Sequence, residues 1–377
     1  PPQAGVALFP PLFRPASEGL QSIGWRKSDG GMVEQHDIGA KLSAARHAMA
    51  GRGAWLLTDG KAGDVAHCLG VAERLGLAAE QRTVRPRALF ATLMPRGPID
   101  PAEAPEKPGS PLSPPFPDIA IASGRRAVAY LRALKRASGG RTFTVFLKDP
   151  RTGPGTADFI WVPEHDGLRG ANVLATLTSP HRITPEALQE ARHHPPAAIA
   201  ALTRPRAALL LGGDSKAFRF SPQDIARLAE ACATLASEAR LMVTASRRTP
   251  PALAGAIRDT VAAQGGFFWD GSGENPYRAM LANADCIVAT ADSVNMVGEA
   301  VATGRPVLVF TPSGGTAKIH RFLAGLSAQG AVRPFTGRLE SYTYPPIDAT
   351  PLIAIRLAEG FAQFLQQRAR TAPGIPI

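Results

Sequence analysis

Residues 273–310 read GENPYRAMLANADCIVATADSVNMVGEAVATGRPVLVF, and their polar positions are spaced for chemistry. The turn Ala291-Asp292-Ser293 follows a short apolar, β-branched run and precedes helix formers that end at Gly304. Ser293 stands at the N-cap position, so the free N–H groups of the first turn, beginning at Val294, face outward where an anion such as a diphosphate binds. Asp292, Asn295 and Glu299 share one helix face, with Glu299 about 9 Å along the axis from Ser293. That is roughly the reach from a diphosphate to a ribose, and one carboxylate accepts from both hydroxyls of a ribose diol. A solvated helix glutamate is the bland alternative at this spacing.

Other strand ends offer similar chemistry. An apolar run over 207–211 ends in Gly212-Gly213-Asp214-Ser215-Lys216, and another over 241–244 ends in Ser246-Arg247-Arg248-Thr249-Pro250. Guanidinium groups bind phosphate bidentately, Thr249 is placed to cap the next helix, and Asn275 opens a capped short helix just before the first stretch. Together these ends describe one anion site. Earlier, the run 54–57 leads into Thr58-Asp59-Gly60-Lys61-Ala62-Gly63. The spacing is not that of a P-loop, but Gly60 and Gly63 admit a ligand to the backbone and Lys61 suits an anion; a tight strand-to-helix turn is the alternative. His165 and Asp166 follow the run 159–162, at a strand's carboxyl end, where either suits a general base; an unpaired surface histidine is the alternative, and His181 is a weaker candidate.

Alternating strands and helices must position these residues, which predicts an α/β fold with parallel sheets. The expected organisation is a mobile extension over 1–50, a first domain over 51–195 with a Pro-rich surface insertion at 95–117, a linker over 193–205, a second domain over 205–345, and a C-terminal helix and tail over 346–377. Met32 is an internal candidate start. The loop 311–316, with Lys318 and His320 nearby, is placed to close over a sugar. The last helix carries an apolar side (Leu352, Ile355, Phe361, Phe364, Leu365) that packs back on the protein or touches a membrane.

The chain has 377 residues, 45% of them hydrophobic, enough for two cored domains. Its formal net charge of +11 comes mostly from scattered arginines, which fit an anionic small ligand or an acidic membrane surface. No aromatic-interleaved basic patch appears, so nucleic acid is not expected. Cys68, Cys232 and Cys286 sit in apolar patterns with no CxxC spacing and read as core thiols of a reducing compartment. No apolar run reaches 18 residues and no signal peptide opens the chain, so the expected location is cytoplasmic, peripheral at most to the inner face of a membrane.

Five stretches in this order, TDGKAGD (58–64), VPEHD (162–166), LLLGGDSKAF (209–218), TASRRTP (244–250) and the stretch 273–307, resemble the mitochondrial fission family named for elongated mitochondria, with its bacterial relatives. The resemblance covers about residues 54–345. It implies two Rossmann-like domains facing across a cleft, the GT-B-like architecture, and a donor half resembling that of a lipid-linked N-acetylglucosamine transferase. On that likeness Gly212, Gly213 and Ser215 match a GGS-type turn, and Ser293 and Glu299 the helix start and ribose carboxylate. The first-half loop departs from that pattern, because His67 lies further into its helix. The absence of an Asp-x-Asp pair speaks for metal-free chemistry, with no cofactor and no metal ligands expected. The implied functions are transfer of a sugar from a nucleotide-diphosphate sugar, with a lipid acceptor among the partners, epimerisation of such a sugar, or a non-catalytic adaptor role at a membrane.

Overall fold

The computed structural model of the chain describes residues 31–371. Helix α1 (Gly31–Met49) leads into β1 (Ala54–Thr58), α2 (Ala62–Arg74), β2 (Ala79–Thr83), α3 (Ala88–Leu93), β3 (Ile119–Ala122), α4 (Ala127–Ala137), β4 (Phe143–Leu147), β5 (Phe159–Pro163) and β6 (Val173–Thr176). The short helices α5 (Pro185–His193) and α6 (Ala197–Ala200) follow. The second series is β7 (Arg206–Leu211), α7 (Pro222–Glu238), β8 (Arg240–Ala245), α8 (Pro251–Ala263), β9 (Phe267–Trp269), α9 (Tyr277–Asn283), β10 (Cys286–Thr290), α10 (Val294–Val301), β11 (Val307–Phe310), α11 (Ala317–Ala328), β12 (Val332–Pro334) and α12 (Thr350–Thr371).

The strands form two six-stranded parallel sheets, ordered β2-β1-β3-β4-β5-β6 and β12-β11-β10-β7-β8-β9. Their central strands are apolar throughout because helices cover both faces. In the first sheet Leu56, Ile121 and Val145 face α2 and α12, whereas Leu57, Ala122 and Phe146 face α4. In the second, Leu210 and Ala289 pack towards α9 and α10, and Leu209 and Val288 towards α7 and α8. Ser221 and Asp224 close α7 with a reciprocal capping box, as their spacing predicts. The three cysteines are buried and free. Burial pushes the thiols of Cys232 and Cys286 up to about 12, consistent with core packing.

Three expectations need correction. Residues 31–49 are not a mobile extension: Ile38, Leu42, Ala45 and Met49 form a helical stripe that packs in the same core as α12. Residues 1–30 lie outside the described residues. The Pro-rich segment 95–117 is folded onto the first sheet, with Leu112 fully buried, Phe116 against Trp55 at 6.4 Å, and Asp100 paired with Arg87 at 2.7 Å. Proline excludes a ladder there, yet side chains still anchor the irregular backbone. The expected linker is also packed. Ile199 of α6 belongs to the second half's core, and so does Leu188 of α5 just ahead of the linker, where Asn283 Nδ2 donates to the Ala191 carbonyl at 3.1 Å. The apolar side of α12 packs back on the protein, the first of the two placements expected for it. It returns to the first half, where Phe361 and Phe364 pack on Phe143 at 5.6 and 5.3 Å. Among the described residues no helix is long and apolar enough to cross a membrane.

Candidate functional site

In each sheet the chain leaves two adjacent strands in opposite directions, which opens a crevice at their carboxyl ends. In the second half these strands are β7 and β10, paired at Leu210 and Ala289. Asp292, whose side chain is 0% exposed, ties the loops of this crevice together. Its carboxylate accepts from the Gly213 N–H at 2.8 Å and the Thr290 hydroxyl at 2.7 Å, and Arg248 reaches it at 3.3 Å. Burial raises its pKa despite these donors. The Gly212 N–H donates to Thr290 Oγ1 at 2.8 Å.

This network reassigns several residues expected to touch a ligand. A Cβ on Gly212 would lie 2.2 Å from the Asp292 carboxylate, and one on Gly213 2.0 Å from the Arg248 carbonyl oxygen. These glycines therefore let the protein's own loops close on one another. Arg248 also donates to the Asp214 carbonyl at 3.1 Å, so it clamps loops as well. Thr249 does not cap α8; its hydroxyl accepts from the Ser246 N–H at 2.9 Å and donates to the Gly212 carbonyl. Ser246 Oγ accepts from the Arg248 N–H at 3.2 Å, and Ser215 Oγ from the N–H groups of Ala217 and Phe218 at 3.2 and 3.1 Å. The loop expected to close over a sugar is tethered, with Ser313 donating to Asp224 and Gly314 bridged to Phe218.

Few polar groups at the second half's strand ends stay uncommitted. Ser293 stands at the N-cap position but its side chain makes no cap hydrogen bond. Arg247 is exposed, without an ion pair or hydrogen-bond partner among the described residues, and Lys216 is exposed at a neighbouring cavity. Glu299 accepts from the Tyr277 hydroxyl at 2.5 Å, and Asn275 Oδ1 fixes Tyr277 by accepting its N–H at 3.0 Å. Burial raises the Glu299 carboxyl, an effect the Tyr277 hydroxyl only partly offsets. Asp292, Asn295 and Glu299, expected to act from one helix face, thus take three separate partners. Tyr277 was the residue that spacing did not single out, since its contact with Glu299 spans 22 positions.

The first half's crevice lies between β1 and β3, paired at Leu57 and Ala122. Here Lys61 pairs with Asp59 at 2.7 Å and Lys148 with Asp64 at 2.5 Å, while Ser123 Oγ donates to Asp64 at 2.9 Å. Burial raises the Asp64 carboxyl, but the Lys148 ammonium and the Ser123 hydroxyl outweigh it and hold it below the usual carboxylate range. Gly60 adopts φ +80° with room for a Cβ, so its conformation rather than a close approach calls for glycine. Lys61 commits its charge to Asp59. Gly63 does mark a close approach: its Cβ would lie 3.0 Å from Asn295 Nδ2 of α10.

Between the halves is a cavity of about 270 Å³ lined by His67, Lys148, Trp161, His165, Asn295 and Lys318, among others including Val294 and Asp166. His67 Nε2 lies 3.3 Å from Asn295 Oδ1, so the imidazole donates from Nε2 and leaves Nδ1 buried without a partner among the described residues. Burial lowers its pKa to about 4. His165 and Asp166 sit in a 3-10 turn at the carboxyl end of β5. Asp166 pairs with Lys318 of α11 at 2.7 Å, and the His165 carbonyl accepts from Arg321 at 3.3 Å. Burial lowers the His165 pKa, which favours the neutral ring. His181 instead lies buried at 3.4 Å from Asp348, away from the lining of this cavity.

Two parallel Rossmann-like halves that face each other across a cleft, with the last helix bound back on the first, define a GT-B-like α/β protein. Within that class the chain belongs to the mitochondrial fission ELM1 family, whose model matches residues 62–361. It is 28% identical to the mitochondrial fission protein ELM1 of Arabidopsis thaliana over 65% of this chain and 64% of that protein. It is 32% identical to the uncharacterised protein RP120 of Rickettsia prowazekii over 39% of this chain and 44% of that protein. The chain therefore spans less than two thirds of either relative. Among solved structures, the UDP-N-acetylglucosamine 2-epimerase of Rickettsia bellii matches with a TM-score of 0.46 at 12% identity, over 85% of this chain and 99% of that one. MurG of Acinetobacter baumannii matches at 0.42 and 13%, over 85% and 100%. Likeness at this level carries nothing about chemistry.

Proposed function

We propose that this protein binds a nucleotide-diphosphate sugar in the crevice between β7 and β10 and transfers the sugar across the cleft, with no metal needed. The observation that carries the reading is the set of groups at the second half's strand ends: a helix start that Ser293 does not cap, the free guanidinium of Arg247, and the Glu299 carboxylate oriented by Tyr277. The first-turn N–H groups and Arg247 would neutralise the departing diphosphate, and Glu299 would accept from the ribose hydroxyls. Neutral His165 would take the acceptor proton, with Asp166 holding Lys318 beside it.

Titration calorimetry with uridine, adenosine and guanosine diphosphates and their sugars tests this. Arg247→Ala and Glu299→Gln should each weaken binding by about 1 to 3 kcal/mol. Turnover then separates transfer, which releases the nucleoside diphosphate, from epimerisation, which yields an isomeric nucleotide sugar. No binding at millimolar ligand by the folded protein would overturn the reading and point to a non-catalytic adaptor role.

A further inference from the structure

Among the described residues, the large apolar side chains that stand exposed are Leu89, 68% exposed, and Leu93, 52% exposed. Both belong to α3, four positions apart, so they project from one face. The helix is fastened from beneath by buried Ala91 and Met94, which makes the leucines a fixed surface feature.

Arginines gather at both ends of that helix. Arg125 donates to the Met94 and Ala91 carbonyls at 2.8 and 2.9 Å, and Arg132 to the Pro95 carbonyl at 2.8 Å. Arg96 donates to the Arg151 carbonyl at 3.1 Å, Arg87 lies over the Phe90 ring at 5.4 Å, and exposed Arg85 precedes the helix. The carboxylates bonded to this segment are Asp100 on Arg87, Glu103 on the Arg85 N–H, and Asp149 on the Arg151 N–H. Carbonyl partners leave a guanidinium its full charge. Arg125, Arg132 and Arg96 therefore keep theirs, and the surround is positive.

Two protruding leucines on a helix whose ends carry an excess of arginine charge match an interface that is apolar within and anionic at its surface. We propose that α3 docks the protein on an anionic phospholipid bilayer, inserting Leu89 and Leu93 between headgroups that the arginines bind. Because Arg151 also lines the interdomain cavity, the docked membrane lies beside the mouth of the cleft. The inference does not rest on the nucleotide-sugar reading.

The test is co-sedimentation of the full chain with phosphatidylcholine vesicles and with phosphatidylcholine vesicles carrying phosphatidylglycerol. Binding is expected to the anionic vesicles and to fall with salt. Leu89→Gln/Leu93→Gln should weaken it by about tenfold or more, and Arg85→Gln/Arg96→Gln by about fivefold per arginine. These positions are exposed, so the variants should fold, which circular dichroism checks. Failure of the wild type to bind, or equal binding by the leucine variant, overturns the proposal. So does a wild-type dimer, seen by analytical ultracentrifugation, that the leucine variant disperses without any vesicle binding, since a second copy then covers the patch.

Discussion

The two crevices are built on the same topological device and treat charge in opposite ways. Between β1 and β3 each carboxylate has its own lysine, Asp59 with Lys61 and Asp64 with Lys148, so the first crevice is internally neutral. Between β7 and β10 the buried carboxylate of Asp292 is bonded chiefly to backbone and hydroxyl donors, with Arg248 further off, while Arg247 stays free. A self-compensated crevice has little left to offer an anion. One that ties down its loops and leaves a cation and a helix start uncommitted keeps donors to offer.

The largest effect that sharpens this contrast is at the glycines. Gly213→Ala places a Cβ 2.0 Å from the Arg248 carbonyl oxygen and should destabilise the protein by about 3 kcal/mol, since backbone must move. Gly60→Ala has space and meets only a positive φ, about 1 to 2 kcal/mol. Urea denaturation of the two variants measures the difference, and equal costs would erase it.

A similar magnitude is expected from pH, at the seam where the crevices meet. The folded state holds His67 neutral down to about pH 4, whereas the unfolded chain takes a proton near 6.5. The unfolded state thus binds more protons in this window, and stability falls as pH drops from 6.5 to about 4, by about 3 kcal/mol. His67→Gln should flatten that slope in denaturant titrations at several pH values; an unchanged slope would assign it to other groups.

Smaller effects separate the carboxylates. Asp64→Asn strips a half-exposed Lys148 of its partner and should cost about 2 kcal/mol. Asp292→Asn should cost nearer 1 kcal/mol, because burial already disfavours its charge and an amide oxygen still accepts from Gly213. A reversed order would mean that the second crevice depends on charge more than the first. Lys61→Ala should cost about 1 kcal/mol by the same assay, because Lys61 itself is exposed but the Asp59 carboxylate it pairs with is buried.

The sequence by itself determined the alternation of strands and helices, hence the parallel sheets, because apolar runs and turn residues act within a few positions of one another. The capping box of α7, the turn at 291–293 and the strand-end location of His165 were legible for the same reason. What those residues touch was not. That Gly212 and Gly213 yield to Asp292 and Arg248, that Glu299 meets Tyr277, and that His67 faces Asn295 across 228 positions depend on which strand ends the topology makes neighbours. Only the tertiary structure decided those partners. It also decided that the stripe of α1 and the apolar side of α12 would find each other from opposite ends of the chain, since burial rewards contact in space and leaves no periodic trace of its partner in sequence.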